Sequence, residues 1–190
     1  MTDNFVILSG RALKALASIS KYGDICFYNT FLYVINPVFT VRIYRDDFDK
    51  FADKNFRVDI SDAKKLKVSD TVVISDDATW QNLSDKSEHA TENKEVNENT
   101  ITSLKNYFDS EAMPFDGVNW FGFALNTLEY LDKLVSGFKI ENNFIFELIH
   151  KQAKPDNYIL RAKNKFWSKN GLLDVSEYCM EIVFTTANKS

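Results

Sequence analysis

The brevity of the links between its apolar segments is the strongest constraint on how this chain folds. Ile25–Tyr28, Phe31–Ile35 and Val38–Tyr44 are rich in β-branched and aromatic residues and are separated only by Asn29-Thr30 and Asn36-Pro37. Such segments favour strands, and Asn and Pro favour the turns between them. Links this short cannot make the crossover that joins parallel neighbours, so the three strands must form an antiparallel meander. Ahead of them, Phe5–Leu8 is short, apolar and ended by Ser9-Gly10, after which Ala12, Leu13, Leu16 and Ile19 recur at helical spacing up to Tyr22-Gly23. The segment therefore reads strand, helix, three strands.

The same grammar returns near the other end. Val118–Phe121 is apolar, and Phe123–Ser136 carries Leu128, Leu131 and Val135 on one helical face before Gly137, which is expected to stop the helix. Phe138–Ile149, Tyr158–Lys165 and Leu172–Thr185 follow as strands behind turn residues. In the last of them Tyr178, Met180, Ile182 and Phe184 alternate with Cys179, Glu181, Val183 and Thr185, which predicts one face in a core. The expected architecture is α+β. Residues 1–60 form a first βαβββ unit, 118–190 a second, and 61–117 an irregular insertion within a single domain, the sheet being mostly antiparallel with two main helices on one face. Within the insertion one strand is best placed at Thr71–Ile74. Gln81–Thr100 carries Asp85, Glu88, Glu92, Glu95 and Glu98 against Lys86 and Lys94 with no aromatic residue, so a mobile acidic loop is expected at about 81–100.

Composition narrows the function classes. With 190 residues, 45% of them hydrophobic and 16 of them Phe, the chain can bury one good core. No run approaches the apolar length of a membrane span, and Met1–Gly10 lacks the pattern of a secretory signal, so a cytoplasmic protein without membrane contact is expected. Cys26 and Cys179 stand in alternating apolar stretches and read as buried free thiols. His89 and His150 are the only histidines, and the sequence has no glycine-rich phosphate loop, no CxxC and no HExxH. The carboxylate pairs Asp46-Asp47, Asp76-Asp77 and Glu129/Asp132 lack a third ligand at sensible spacing. No catalytic residue, metal or cofactor is expected, and the protein reads as a non-enzyme.

Charge placement is more informative than its sum of −4. Arg11, Lys14, Ser18 and Lys21 follow at intervals that gather them within roughly 80° of one helical face, opposite Ala12, Leu13 and Leu16. This is either a solvated face or one that meets phosphates without reading sequence. The second helix supports that idea only in part, with Lys133 facing Glu129 and Asp132. The stretch His150–Lys169 adds Lys151, Lys154, Arg161, Lys163, Lys165 and Lys169 against the single acid Asp156.

A helix reading Arg11-Ala12-Leu13-Lys14-Ala15-Leu16-Ala17-Ser18-Ile19-Ser20-Lys21, followed by short strands and then repeated as helix plus strands, resembles the DNA sliding clamp family, in particular the clamps of tailed bacteriophages. The stretch Pro155–Lys163 leading into Leu172–Thr185 is similar to the closing hairpin of such clamps. The resemblance implies a polymerase processivity factor: a homo-oligomeric ring whose helices line a channel around duplex DNA, with DNA polymerase or clamp loader as partners. By position Arg11, Lys14 and Lys21 match channel-facing residues, and Lys133 matches more weakly. This chain departs from the family in holding fewer copies of the repeated unit and in the mixed charge of its second helix. A structural or protein-interaction module with a clamp-like fold that does not bind DNA is the alternative.

Overall fold

The computed structural model describes residues 4–36, 39–90, 98–113, 132–140, 144–150, 158–164 and 178–184. The chain opens with β1 (Phe5–Ser9), α1 (Gly10–Ile19), β2 (Asp24–Tyr28), β3 (Phe31–Ile35) and β4 (Phe39–Tyr44). The β2–β3 link places both Asn29 and Thr30 at positive φ, 49° and 71°, the pair of conformations that a two-residue turn needs to match strand twist. Phe31 consequently pairs with Tyr28, and the ladder continues through β4 in one antiparallel meander. Ser9 caps α1 by accepting a hydrogen bond from the Ala12 amide at 3.1 Å. Leu13, Leu16 and Ile19 are buried, each contributing about 1.5–3 kcal/mol relative to exposure.

The 3₁₀ turn Asp46–Phe51 follows, then β5 (Phe56–Asp59), the 3₁₀ helix Ser61–Lys65, β6 (Thr71–Ser75), β7 (Thr79–Asn82) and β8 (Glu88–Ala90). The described residues between 61 and 113 are therefore not irregular, and 81–90 is turn and paired strand rather than a mobile acidic loop: β6, β7 and β8 form a second antiparallel meander. The polar residues of this stretch make turns rather than coil. Asp77 accepts from the amide and hydroxyl of Thr79, and Asp85 does the same for Ser87, the side-chain mimicry of a backbone turn available to Asp. Val72, Ile74 and Trp80 then reach the core from alternate positions.

Beyond it lie α2 (Glu98–Asp109), β9 (Ala112–Met113), helical residues 132–138, β10 (Phe144–His150), β11 (Tyr158–Asn164) and β12 (Cys179–Phe184). The expected strand Val118–Phe121 and the start of the expected helix Phe123–Ser136 lie outside the described residues. All strands pair antiparallel in two sheets, of order β1-β6-β7-β8 and β5-β2-β3-β4-β12-β11-β10-β9. The fold is α+β. Two strands leave their sequence neighbours to reach these positions: β1 pairs with β6, while β5 pairs with β2. That exchange stitches the two meanders into one core, in which Val6 and Leu8 meet Phe27, Phe48, Phe56, Val72 and Ile74.

Arg45 closes this core at one margin. Its Nη2 donates to the Ile7 carbonyl at 2.7 Å, its Nη1 donates to the Tyr178 hydroxyl at 2.8 Å, and it is ion-paired with Asp47. The guanidinium thus occupies a backbone acceptor on the outer side of β1. On the other face of the large sheet, β12 buries nearly all of its residues rather than alternating, because α2 covers the side expected to meet solvent. Ile101 and Phe108 of α2 pack with Cys26, Tyr33, Ile149 and Val183.

Gly137 does not stop its helix, which continues to Phe138. Instead it marks a close crossing with α1: a Cβ built on Gly137 would lie 2.4 Å from the Ala15 Cβ and 3.4 Å from the Arg11 carbonyl oxygen. Gly137→Val is therefore expected to lower stability by about 1–3 kcal/mol, as overpacking does, although helix propensity alone predicts no loss. Urea denaturation of both proteins checks this.

Candidate nucleic-acid interface

Three helical segments share one layer. The 3₁₀ helix Ser61–Lys65 packs along α1, the Gly10 amide donates to the Asp70 carbonyl at 2.7 Å, and residues 132–138 cross α1 at Gly137. Space at Gly10 is equally restricted, a Cβ there meeting the Lys67 carbonyl oxygen at 2.5 Å. The apolar side of the layer, with Ala12, Leu13, Leu16, Ala63, Leu66 and Leu134, faces the core.

The four residues singled out by the sequence lie on or beside this layer. Lys14 is exposed on α1, Lys21 is exposed two residues past its end, and Lys133 is exposed on the crossing helical segment. Lys21 Nζ lies 5.0 Å from the centroid of the Tyr22 ring, itself 62% exposed. Arg11 is less open than its spacing suggests: it is half-buried, and its Nε is enclosed without a hydrogen-bond partner among the described residues. The neighbouring helical segment causes this, since it covers the Arg11 end of α1.

Lys64, Lys65 and Lys67 are a further exposed group on this layer that the helical spacing of α1 could not reveal. The signal available for them is the run Lys64-Lys65-Leu66-Lys67, in which Leu66 alone turns inward. Over residues 10–22, 61–67 and 132–138 the cations Arg11, Lys14, Lys21, Lys64, Lys65, Lys67 and Lys133 stand against only Asp62 and Asp132, within a chain of net charge −4. Repulsion among the exposed lysines is tolerable because they are solvated and screened over about 10 Å at moderate salt. A polyanion laid on this side would replace the screening ions and release them.

The positive charge expected in the last third behaves differently. Arg161 Nη2 donates to Glu147 at 2.7 Å, and Lys163 Nζ contacts the other oxygen of the same carboxylate at 2.7 Å. Arg161 Nη1 also donates to the Phe108 and Ser110 carbonyls at 2.8 and 2.7 Å, closing the C-terminal end of α2. Arg42 is held similarly, between the Phe31 and Phe108 rings, with Nη2 donating to Glu181 at 2.7 Å and Nη1 to Asp109 at 3.2 Å. These guanidinium groups fasten α2 to the large sheet. Lys151, Lys154, Lys165 and Lys169 lie outside the described residues.

Other polar side chains make contacts within the fold. Asp47 pairs with Arg45 and Asp77 with Thr79. Among the described residues no three His, Cys, Asp or Glu side chains gather as a metal site, and no helix is long and apolar enough to cross a membrane. Cys26 and Cys179 are buried free thiols. Burial, with help from Asp24, pushes the Cys26 thiol up to about 12. Compared with protein-family models, with curated proteins and with solved structures, the chain matches none.

Glu147 gives a pH test. Burial would raise its carboxyl, but hydrogen bonds from Lys163 and Arg161 outweigh burial and hold it below the usual carboxylate range. A depressed native value means that its stabilisation is present above the unfolded value and is lost as pH falls through the native one. Glu147→Gln should cost on the order of 1–3 kcal/mol at neutral pH, with the difference from the parent shrinking below about pH 4.5. Denaturant midpoints measured across the acid range read both effects.

Proposed function

We propose that this chain is a non-enzymatic, clamp-like DNA-replication accessory protein that contacts the backbone of duplex DNA without sequence specificity. The observation that carries the reading is the single helical layer bearing Arg11, Lys14, Lys21, Lys64, Lys65, Lys67 and Lys133 on a chain of net charge −4. Lysines on solvated stems suit a contact that must be electrostatic and indifferent to bases. The order strand, helix, three strands supports the clamp-like part. It runs over β1–β4, and residues 132–138 followed by β10, β11 and β12 give helix and three strands again. In this reading the two units are built on a shared plan. Self-association edge to edge, with a DNA polymerase or clamp loader as further partner, completes the proposal.

The second reading is a protein-interaction module that does not engage DNA. It is favoured by Phe5 and Ile7, which are 43% and 45% exposed on the outer face of the four-stranded sheet.

Fluorescence anisotropy on a labelled duplex separates the two. The parent protein should bind several unrelated sequences alike, with affinity falling steeply as salt rises. Lys14→Glu/Lys21→Glu should weaken binding by at least about tenfold and flatten the salt slope by about two units. Absence of binding at low salt, or binding indifferent to the reversal, refutes the DNA reading. Light scattering with and without duplex gives the molar mass of the bound species.

A further inference from the structure

Beside the basic layer lies a cleft of about 360 Å³ lined by Asp62, Lys65, Lys67, Trp80, Asp85 and His89 among others. His89 comes from β8, the outermost strand of the four-stranded sheet, and reaches across to the 3₁₀ helix. Its ring stacks on Trp80 with centroids 3.9 Å apart and planes 12° from parallel. Trp80 is fixed from behind, its Nε1 donating to the Asp59 carbonyl at 2.8 Å. The free side of the contact is Asp62, whose Oδ2 lies 3.3 Å from His89 Nδ1 and whose Oδ1 lies 4.0 Å from Lys65 Nζ.

Asp62 is the one acid among residues 61–67, so it decides how much of the charge of Lys64, Lys65 and Lys67 is offset locally. With a neutral imidazole, Asp62 balances Lys65. With an imidazolium, the carboxylate gains a second cation at shorter distance, and Lys65 is left to other anions. Other charged groups also face this cleft. Asp85 is exposed and held below the usual carboxylate range by the hydroxyl and amide of Ser87, with His89 contributing. Asp70 is buried and occupied by the Lys67 amide and Asn82 Nδ2. Lys67 is exposed and has no ion pair among the described residues. Among the side-chain types lining this side of the cleft, imidazole is the one whose charge ordinarily responds to pH near neutrality.

We propose that His89 and Asp62 form a pH-sensitive latch on the basic layer, in which protonation of His89 withdraws Asp62 from Lys65 and strengthens the hold of the layer on a polyanion. The proposal rests on the DNA reading given above and adds its regulation. The stack on Trp80 keeps the imidazole facing Asp62 in both charge states, and a cation on an indole face is itself favourable.

Duplex affinity at about pH 6 and about pH 8, at fixed low salt, tests it. These values lie either side of the ordinary imidazole value of about 6.5. The parent should bind about three- to tenfold more tightly at the lower pH. His89→Gln should reduce that ratio to near unity, Asp62→Asn should bind at the higher pH as the parent does at the lower, and His150→Gln should leave the ratio unchanged. A ratio that survives His89→Gln overturns the latch. The His89 ring resonances, followed by NMR through the same pH range in the parent and in Asp62→Asn, read the pair without DNA. A titration midpoint indifferent to Asp62 overturns the latch as well. A midpoint that moves with Asp62, in a protein that binds no duplex at either pH, refutes the DNA reading and leaves the His89–Asp62 pair standing.

Discussion

Leu13, Leu16 and Ile19 have to leave water together, and the surface they leave it for is assembled from both sheets. Val6 and Leu8 come from β1, Ile25 and Phe27 from β2, Val72 and Ile74 from β6, and Leu134 from the crossing helical segment. No single meander could supply that surface, which is why the exchange of β1 and β5 between meanders matters energetically and is more than a detail of topology. Interiors pack at crystal-like density, so the helix also fixes the distance at which its neighbours sit. Gly10 and Gly137 mark the two places where that distance falls below what a side chain permits.

Charge is then sorted by depth. The guanidinium groups of Arg42, Arg45 and Arg161 are buried, and each has carboxylate, carbonyl or hydroxyl partners. Buried charge needs such partners, and arginine offers the fork that reaches several at once. The lysines of the helical layer are exposed instead. Arg42, Arg45 and Arg161 thus neutralise acids within the structure, while Lys14, Lys21, Lys64 and Lys67 stand at its surface.

Much of the architecture was legible from residues alone, and the reasons are local. Phe31–Ile35 and Thr71–Ile74 announce themselves as short apolar runs rich in β-branched and aromatic residues, and Asn29-Thr30 by its turn chemistry. The helix α2 was hidden because acidic and amide residues surround it. Its own signal, Ile101, Leu104 and Phe108 at intervals of three and four, is short and only half apolar. β7 and β8 were hidden because Asp77 and Asp85 look like coil formers until their hydrogen bonds to Thr79 and Ser87 are seen. On the basic side, α1 could be read because a face repeats along a regular helix, whereas a single 3₁₀ turn offers Lys64 and Lys65 no period. Arg161 and Lys163 looked free because their partner, Glu147, is fourteen or more positions away and is met only through the β10–β11 register.

The guanidinium lying on the Ile7 carbonyl guards one border of the small sheet. Another strand seeking to extend β1 would have to displace Arg45, which Asp47 and the Tyr178 hydroxyl help hold in place, from the Ile7 carbonyl. Strand addition, the usual seed of fibrillar misassembly, is thereby discouraged at one border of that sheet by a side chain whose other task is to brace the core.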